Sequence, residues 1–281
     1  MLVDNSMLYD LRYCPMRFFW RHRRNLTVRI PSTSLQFGLA IHEGLRVYNE
    51  KHRVDEAILR FAQLYPPQLD DGVRTYSKGL ELISAWDDQF KEDGFVSLAR
   101  EQHFVLPLGD EIEYCGRLDD FGDYRGQKVV RDYKTSTRWW DFVVTPNSQF
   151  DGYLLGGQTL FPEVEFLIVD MIGITKSSVN GTRKRSKEDG GGVESVFQRK
   201  LITRSKKDLA LFVEDTLRWC QKISDCDADK WWPRNTDNCS GKYGKCPYLA
   251  LCEQPEERWP FLVETAYRED KWDPLKGGGL D

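Results

Sequence analysis

An α/β fold with elements in the order αβββαβ is what this 281-residue sequence predicts. Three observations carry that expectation. Ser34 to Lys51 has helical apolar spacing, with Leu35, Leu39, His42 and Leu45 on one stripe. Three strand-like runs follow, Gln102 to Leu106, Glu111 to Leu118 and Gln127 to Tyr133, two of them with period-two alternation or Val enrichment. A polar helix start at Thr145-Pro146-Asn147-Ser148 then precedes an apolar strand, Glu165 to Thr175.

In the first helix, Gly38 and Gly44 would allow close approach to the sheet, and His42 points inward. A lone histidine on an apolar stripe is commonly a satisfied core residue, but acidic residues further on give this one something to bind. Residues 52–98 show only helical or loop patterns, such as Gly79 to Phe90, and read as a helical insertion that could cover a substrate channel. The run Glu111 to Leu118 delivers Asp119 at its end. In the next, Asp132 and Lys134 are two apart and share a face with Val130. After Ser148, Gln149 and Tyr153 fall one helical turn apart, which an ordinary polar helix surface would also explain. Phe166 to Val169 reads as a buried core strand.

A hairpin of the two strands would bring Asp119 and Asp132 together with Lys134 alongside. Two carboxylates repel unless a divalent cation lies between them, and hard oxygen ligands suit Mg²⁺ or Mn²⁺. A lysine beside such an ion can orient water or stabilise charge on a phosphate. The bland alternative is a surface salt bridge on an edge strand.

The net charge of −4 argues against a uniformly basic DNA-coating protein. Charge is nevertheless patchy: Arg12, Arg17, Arg21, Arg23, Arg24 and Arg29 interleave with Tyr13, Phe18, Phe19 and Trp20. Arginines neutralise phosphates and aromatics stack bases, a pairing suited to single-stranded DNA, with Arg17 and Arg21 as candidate contacts. An amphipathic helix with a solvated basic face is the alternative. A second basic run, Arg183-Lys184-Arg185 with Lys187, ends in Gly190 to Gly192, so residues 176–195 read as a mobile basic loop. No run approaches the roughly 18–20 apolar residues of a membrane span. Met1 to Asp10 lacks the order of a signal peptide. The expected location is therefore the cytoplasm, that of the host if a phage encodes the chain.

Of seven cysteines, three cluster as Cys239-x6-Cys246-x5-Cys252 within the Cys-rich segment 234–255, ahead of a tail at 262–281. Cys14, in Tyr13-Cys14-Pro15, has a similar Cys-Pro context. Disulfides are not expected in such a chain, and four thiolates suit Zn²⁺ or an iron–sulfur cluster. Paired short Cys knuckles, the usual zinc pattern, are absent; one distant ligand and irregular spacing suit a cluster better, with zinc or no metal as alternatives. Cys220 lies on the helical stripe Leu209, Val213, Thr216, Cys220, Ile223 and reads as core, as does Cys115; Cys226 could replace a cluster ligand.

The ordered set of His42, Gly116-Arg117-Leu118-Asp119, Asp132-Tyr133-Lys134 and Gln149 with Tyr153 resembles the PD-(D/E)xK nuclease superfamily, in its RecB-like branch. That branch includes AddB-type and CRISPR-associated RecB-like nucleases. The resemblance spans nearly the whole chain as one domain, 1–281, and implies a mixed sheet flanked by helices. It further implies that His42, Asp119, Asp132 and the Tyr133 carbonyl hold Mg²⁺ or Mn²⁺. Lys134 would position the water, with Asp119, Asp132 and Lys134 as the catalytic set, and Gln149 and Tyr153 would contact DNA. By resemblance, Cys14, Cys239, Cys246 and Cys252 would hold a [4Fe–4S] cluster that staples the chain ends. The six-residue gap before Cys246 is longer than is usual in the CRISPR-associated members.

The function expected is metal-dependent DNA cleavage, as an exonuclease on single-stranded ends. Two alternatives stand beside it: a DNA-binding subunit without cleavage, in a helicase–nuclease or CRISPR adaptation complex, and a zinc-stapled structural protein. No Gly-x-x-x-x-Gly-Lys-Ser/Thr motif is present, so unwinding would need a helicase partner.

Overall fold

The computed structural model describes the chain except residues 110, 139–141, 176–182, 185–192, 195, 242–243 and 276–281. Most of the basic run expected to form a mobile loop lies outside the described residues, as does the end of the tail. The chain begins with β1 (Leu2–Asp4), α1 (Asn5–Tyr13), α2 (Pro15–Phe18) and β2 (Leu26–Val28). Three helices follow, α3 (Thr33–Lys51), α4 (Val54–Leu64) and α5 (Tyr76–Phe90). Next come β3 (Phe95–Pro107), β4 (Glu113–Tyr124), β5 (Gln127–Ser136), α6 (Ser148–Leu160) and β6 (Val164–Gly173). A short pair, β7 (Arg183–Lys184) and β8 (Val193–Glu194), precedes β9 (Phe197–Ile202) and α7 (Lys206–Asp229). The last elements are β10 (Ser240–Gly241), β11 (Gly244–Lys245), α8 (Leu249–Glu253), α9 (Trp259–Ala266) and β12 (Tyr267–Glu269). The expected αβββαβ order is present as α3, β3, β4, β5, α6, β6.

These elements form two compact units. One comprises Ser32–Phe104 and Arg117–Ser205, the other Met1–Pro31, Val105–Gly116 and the described residues from Lys206 on.

The first of these is a mixed α/β unit. β4 and β5 pair antiparallel, β5 and β6 parallel, and β6 and β9 antiparallel, with β3 beside β4. A parallel pair needs a crossover, and α6 supplies it between β5 and β6. The two faces of β5 differ sharply. Tyr133 joins an apolar core with Phe37, Ile41, Tyr48, Phe61, Tyr65 and Trp86, so α3, α4 and α5 cover that face. On the other face a Cβ on Gly157 would come 2.5 Å from Val130 Cγ2, so α6 packs there by virtue of that glycine.

Several boundaries differ from expectation for identifiable reasons. β3 starts at Phe95, not Gln102, because Val96 and Leu98 are exposed and the pairing with β4, not an in–out pattern, makes the strand. β4 continues to Tyr124, so Asp119 lies within the strand and not at its end. On α3 the buried stripe is Phe37, Ala40, Ile41, Gly44, Leu45, Tyr48, whereas Leu35 is exposed; His42 sits at the rim of that face. Gly38 does approach the sheet, 3.1 Å from Thr135 Oγ1 for a built Cβ, but Gly44 faces Ile83 and the Ala57 carbonyl.

The other unit joins early and late segments. β1 runs parallel to residues 113–115 of β4, with Cys115 buried against it. β2 and β12 pair antiparallel. Around them Trp20, Leu26, Tyr248, Leu251 and Tyr267 form a core, and Tyr248 Oη donates to the Leu26 carbonyl at 2.6 Å. Cys220 is buried on α7 beside Thr216 and Ile223, with Phe212 in place of the expected Val213, and Cys226 is buried one turn further on. Among the described residues, no helix is long and apolar enough to cross a membrane.

Candidate active site

The antiparallel register pairs Asp120 with Arg131, so the next position sets Asp119 opposite Asp132. Consecutive strand residues take opposite faces. Asp119 and Asp132 therefore share one face of the β4–β5 pair and Asp120 and Arg131 the other. The Tyr133 N–H donates to Asp119 Oδ2 at 3.1 Å, which fixes that carboxylate beside β5. His42 approaches from α3, its Nδ1 3.3 Å from Asp119 Oδ2. Lys134 Nζ lies 2.8 Å from both oxygens of Asp132. The ammonium thus bridges the two oxygens of this buried carboxylate.

Electrostatics follow from that geometry. Burial pushes the His42 imidazole down, but Asp119 outweighs it and the pKa lies above the ordinary value. Asp119 is lowered, because His42 and Lys134 together overcome its desolvation. Asp132 is pushed up to about 6, chiefly by burial and further by Asp119, against the pull of Lys134. One carboxylate is thus held as an anion by protein cations while burial disfavours the charge on the other.

α6 starts where the sequence placed it. The Asn147 side chain caps it by accepting from Gln149 N–H at 3.1 Å. Gln149 Nε2 donates to Tyr153 Oη at 3.0 Å, so the predicted pair is a contacting pair. Lys134 Nζ lies 5.7 Å from the Phe150 ring centre, which places the first turn of α6 next to the lysine.

Two groups went unread in the sequence. Arg117 Nε pairs with Glu101 Oε2 at 2.7 Å, and Glu101 is pushed up to about 7 by burial and by Asp119. The only sequence signal was Arg117 standing two before Asp119, hence on its face. Behind the strands, Asp120 accepts from Asn49 Nδ2 at 2.8 Å and Ser97 Oγ at 2.7 Å, and Asn49 also donates to Tyr133 Oη at 2.6 Å. Asn49 is seven residues beyond His42 on α3, so one helix serves both faces of the hairpin.

Asp120 yields a pH prediction. Burial pushes it up to about 6, against an ordinary value of 3.8. The folded state therefore keeps this proton in a pH range where the unfolded chain has lost it. That contribution is favourable below about pH 4 and is lost as pH rises through 6, a change of roughly 3 kcal/mol. In EDTA, Asp120→Asn should flatten the fall in urea-unfolding free energy between pH 4 and 7. An unaltered slope would show that Asp120 is ionised throughout.

The four cysteines expected to act together, Cys14, Cys239, Cys246 and Cys252, line one cavity of about 190 Å³. Cys14 is placed by the break between α1 and α2, with Pro15 starting α2. Asn235 and Asn238 tie this break to the C-terminal segment by donating to the Tyr13 carbonyl at 3.1 and 2.6 Å. The long gap before Cys246 is taken up by the β10–β11 hairpin, which returns the chain so that Cys246 N–H donates to the Cys239 carbonyl at 2.8 Å. Cys252 follows on α8. Cys226 does not line the cavity.

The arginine–aromatic segment is largely occupied. Arg17 and Arg21 pair with the buried Asp10 at 2.7 and 3.0 Å, and Arg17 also lines the cysteine cavity. Phe18 and Trp20, expected to be open to bases, are core residues. Phe18 stacks on Trp232 at 5.3 Å.

As placed, no group of three His, Cys, Asp or Glu side chains among the described residues is gathered around an ion position. At the carboxylates the cause is visible: His42 and Lys134 turn their own charges onto Asp119 and Asp132. The donor set nonetheless fits a hard divalent cation, since it offers an imidazole and two facing carboxylates. Four thiols around one cavity likewise fit a thiolate-held metal centre.

No curated protein matches this chain. Among solved structures it is similar to a protein of Eubacterium rectale named as a candidate exonuclease, at 12% identity and TM-score 0.48, covering 83% of this chain and 84% of that one. It is also similar to the protein SSO0001, at 14% identity and TM-score 0.31, covering 64% and 72%. The model of the PD-(D/E)XK nuclease superfamily matches residues 6–253. That span takes in α3, the β4–β5 hairpin and α6 with every residue of the carboxylate–lysine site, and the chain accordingly belongs to the PD-(D/E)XK nuclease superfamily.

Proposed function

We propose that this nuclease is a deoxyribonuclease that degrades DNA from single-stranded ends, with Asp119, Asp132 and Lys134 as its catalytic set. The observation that carries the reading is the cross-strand carboxylate pair with Lys134 bonded to one member and His42 to the other. His42, Asp119, Asp132 and the Tyr133 carbonyl would hold Mg²⁺ or Mn²⁺. A cation there supplies Lewis-acid polarisation of a phosphoryl oxygen and acidifies water. Lys134 orients the attacking water by donating from Nζ and stabilises charge on the phosphate. The Tyr133 N–H holds Asp119 in place, and Gln149 and Tyr153, one turn into α6 beside Lys134, contact the DNA strand. The preference for single-stranded ends rests on the likeness to the RecB-like branch; Phe18 and Trp20 lend it no support, being buried.

The test is cleavage of end-labelled single- and double-stranded DNA with Mg²⁺, Mn²⁺ or EDTA. Metal-dependent shortening from ends is expected, and Lys134→Ala should lower the rate about 10²–10³-fold, the usual effect of removing one transition-state donor. A folded wild type that binds DNA without cutting it would favour a non-catalytic subunit.

Cys14, Cys239, Cys246 and Cys252 are proposed to hold a [4Fe–4S] cluster. Supporting this over zinc, the cavity has room for several atoms, whereas one Zn²⁺ draws its four sulfurs to about 2.3 Å. Such a centre adds its binding free energy to folding. The aromatic core around Trp20 and Tyr267 already joins the two chain ends, so Cys246→Ser should lose the visible absorbance and several degrees of Tm without unfolding outright. Unchanged absorbance and Tm would remove Cys246 from the ligand set.

A further inference from the structure

The cavity holding the four cysteines is not walled by apolar groups alone. Trp20 lines it and is 1% exposed, yet its indole N–H has no regular hydrogen-bond partner. A buried donor without an acceptor is costly, and phenylalanine would place an aromatic ring there without that cost. The ring is held by Trp259, edge-on with centroids 4.8 Å apart, and by Phe19 at 5.1 Å. Cys14, Cys239, Cys246 and Cys252 line the same cavity as this ring. A second donor is already engaged. The Asn235 N–H donates to Cys14 Sγ at 3.3 Å, its residue fixed by the bond to the Tyr13 carbonyl.

Donors to cluster sulfurs withdraw electron density and favour the more negative, reduced state. We propose that Trp20 is a positioning residue for the cluster's electronic state, donating its indole N–H to a sulfur of the cluster and raising the reduction potential. The inference rests on the cluster assignment above. It goes beyond it by giving the centre a tuned one-electron couple, which a staple has no use for.

The test uses the full chain, loaded anaerobically, as wild type and Trp20→Phe. Iron and acid-labile sulfide are measured first: a wild type holding zinc or no metal overturns the cluster assignment itself. With both proteins loaded, titration with dithionite, which supplies the single electron, is followed by electron paramagnetic resonance. Trp20→Phe should shift to a more negative potential; an unchanged potential overturns the proposal. Should Trp20→Phe fail to load, wild type grown with indole-¹⁵N tryptophan decides. The reduced cluster should then show a ¹⁵N hyperfine coupling, since among the described residues no other tryptophan lines the cavity, and its absence overturns the proposal.

Discussion

Asp132→Asn is expected to abolish metal-dependent cleavage while leaving the protein, in EDTA, as stable as wild type to within about 1 kcal/mol. The two halves come from the same atoms. Asp132 is buried, its two oxygens share one counter-charge in Lys134, and burial pushes its pKa up to about 6. A neutral amide of the same shape removes a charge that the interior penalises. It releases Lys134, which is 21% exposed and can turn to solvent. Cleavage should fall by roughly 10⁴-fold or more, the several kcal/mol that Lewis-acid stabilisation contributes at 1.36 kcal/mol per decade. A thermal-shift titration separates the roles further. Mn²⁺ at 100 times its Kd should stabilise wild type by about 2.7 kcal/mol and leave Asp132→Asn nearly unmoved. Cleavage within tenfold of wild type, or an equal Mn²⁺ shift, would take Asp132 out of the site.

How far the sequence reached is clearest on this hairpin. Alternation placed Asp132 and Lys134 on one face and set Asp119 opposite, because period two is a local property of any strand. It could not say that β4 runs on to Tyr124, since Phe121 and Gly122 carry no stop signal and the end is set by the turn at Arg125 and Gly126, both with positive φ. Nor did it pair Arg117 with Glu101, a tertiary ion pair between separate strands. At the cysteines, residue type and spacing picked out four that line one cavity, but not the β10–β11 hairpin that takes up the long gap before Cys246. Least legible was that Arg17 and Arg21 are already paired. Their partner Asp10 sits within the same segment, and a single buried carboxylate that takes three basic side chains leaves no mark on composition.

The reverse face of β5 hides the largest stability effect. Val129 and Val130 suggested an apolar strand, yet Arg131 is buried and donates from Nε to Asp170 Oδ2 at 2.6 Å. Arg199 donates to the same carboxylate at 2.7 and 2.8 Å, and to Asp93 at 2.7 Å. The Arg131 guanidinium also lies 4.5 Å from the Phe95 ring centre, 5.0 Å from Tyr133 and 5.1 Å from Trp86, stacking that a lysine would not reproduce. Asp170→Ala leaves two cations with only Asp93, which stands 3.9 Å from Arg131. Removing one partner of a buried ion pair costs about 3–5 kcal/mol, far more than the pair contributes against an apolar replacement. Asp170→Ala should therefore lose about that much in urea unfolding, and Arg131→Met on the same background should restore part of it by withdrawing the stranded charge. Because Arg131 and Asp132 are neighbours on opposite faces, the single variant should lose cleavage only as its folded fraction falls. A loss below about 1 kcal/mol would mean that the aromatic rings and Asp93 suffice to hold the two guanidiniums, and that Asp170 serves β6 in some other way.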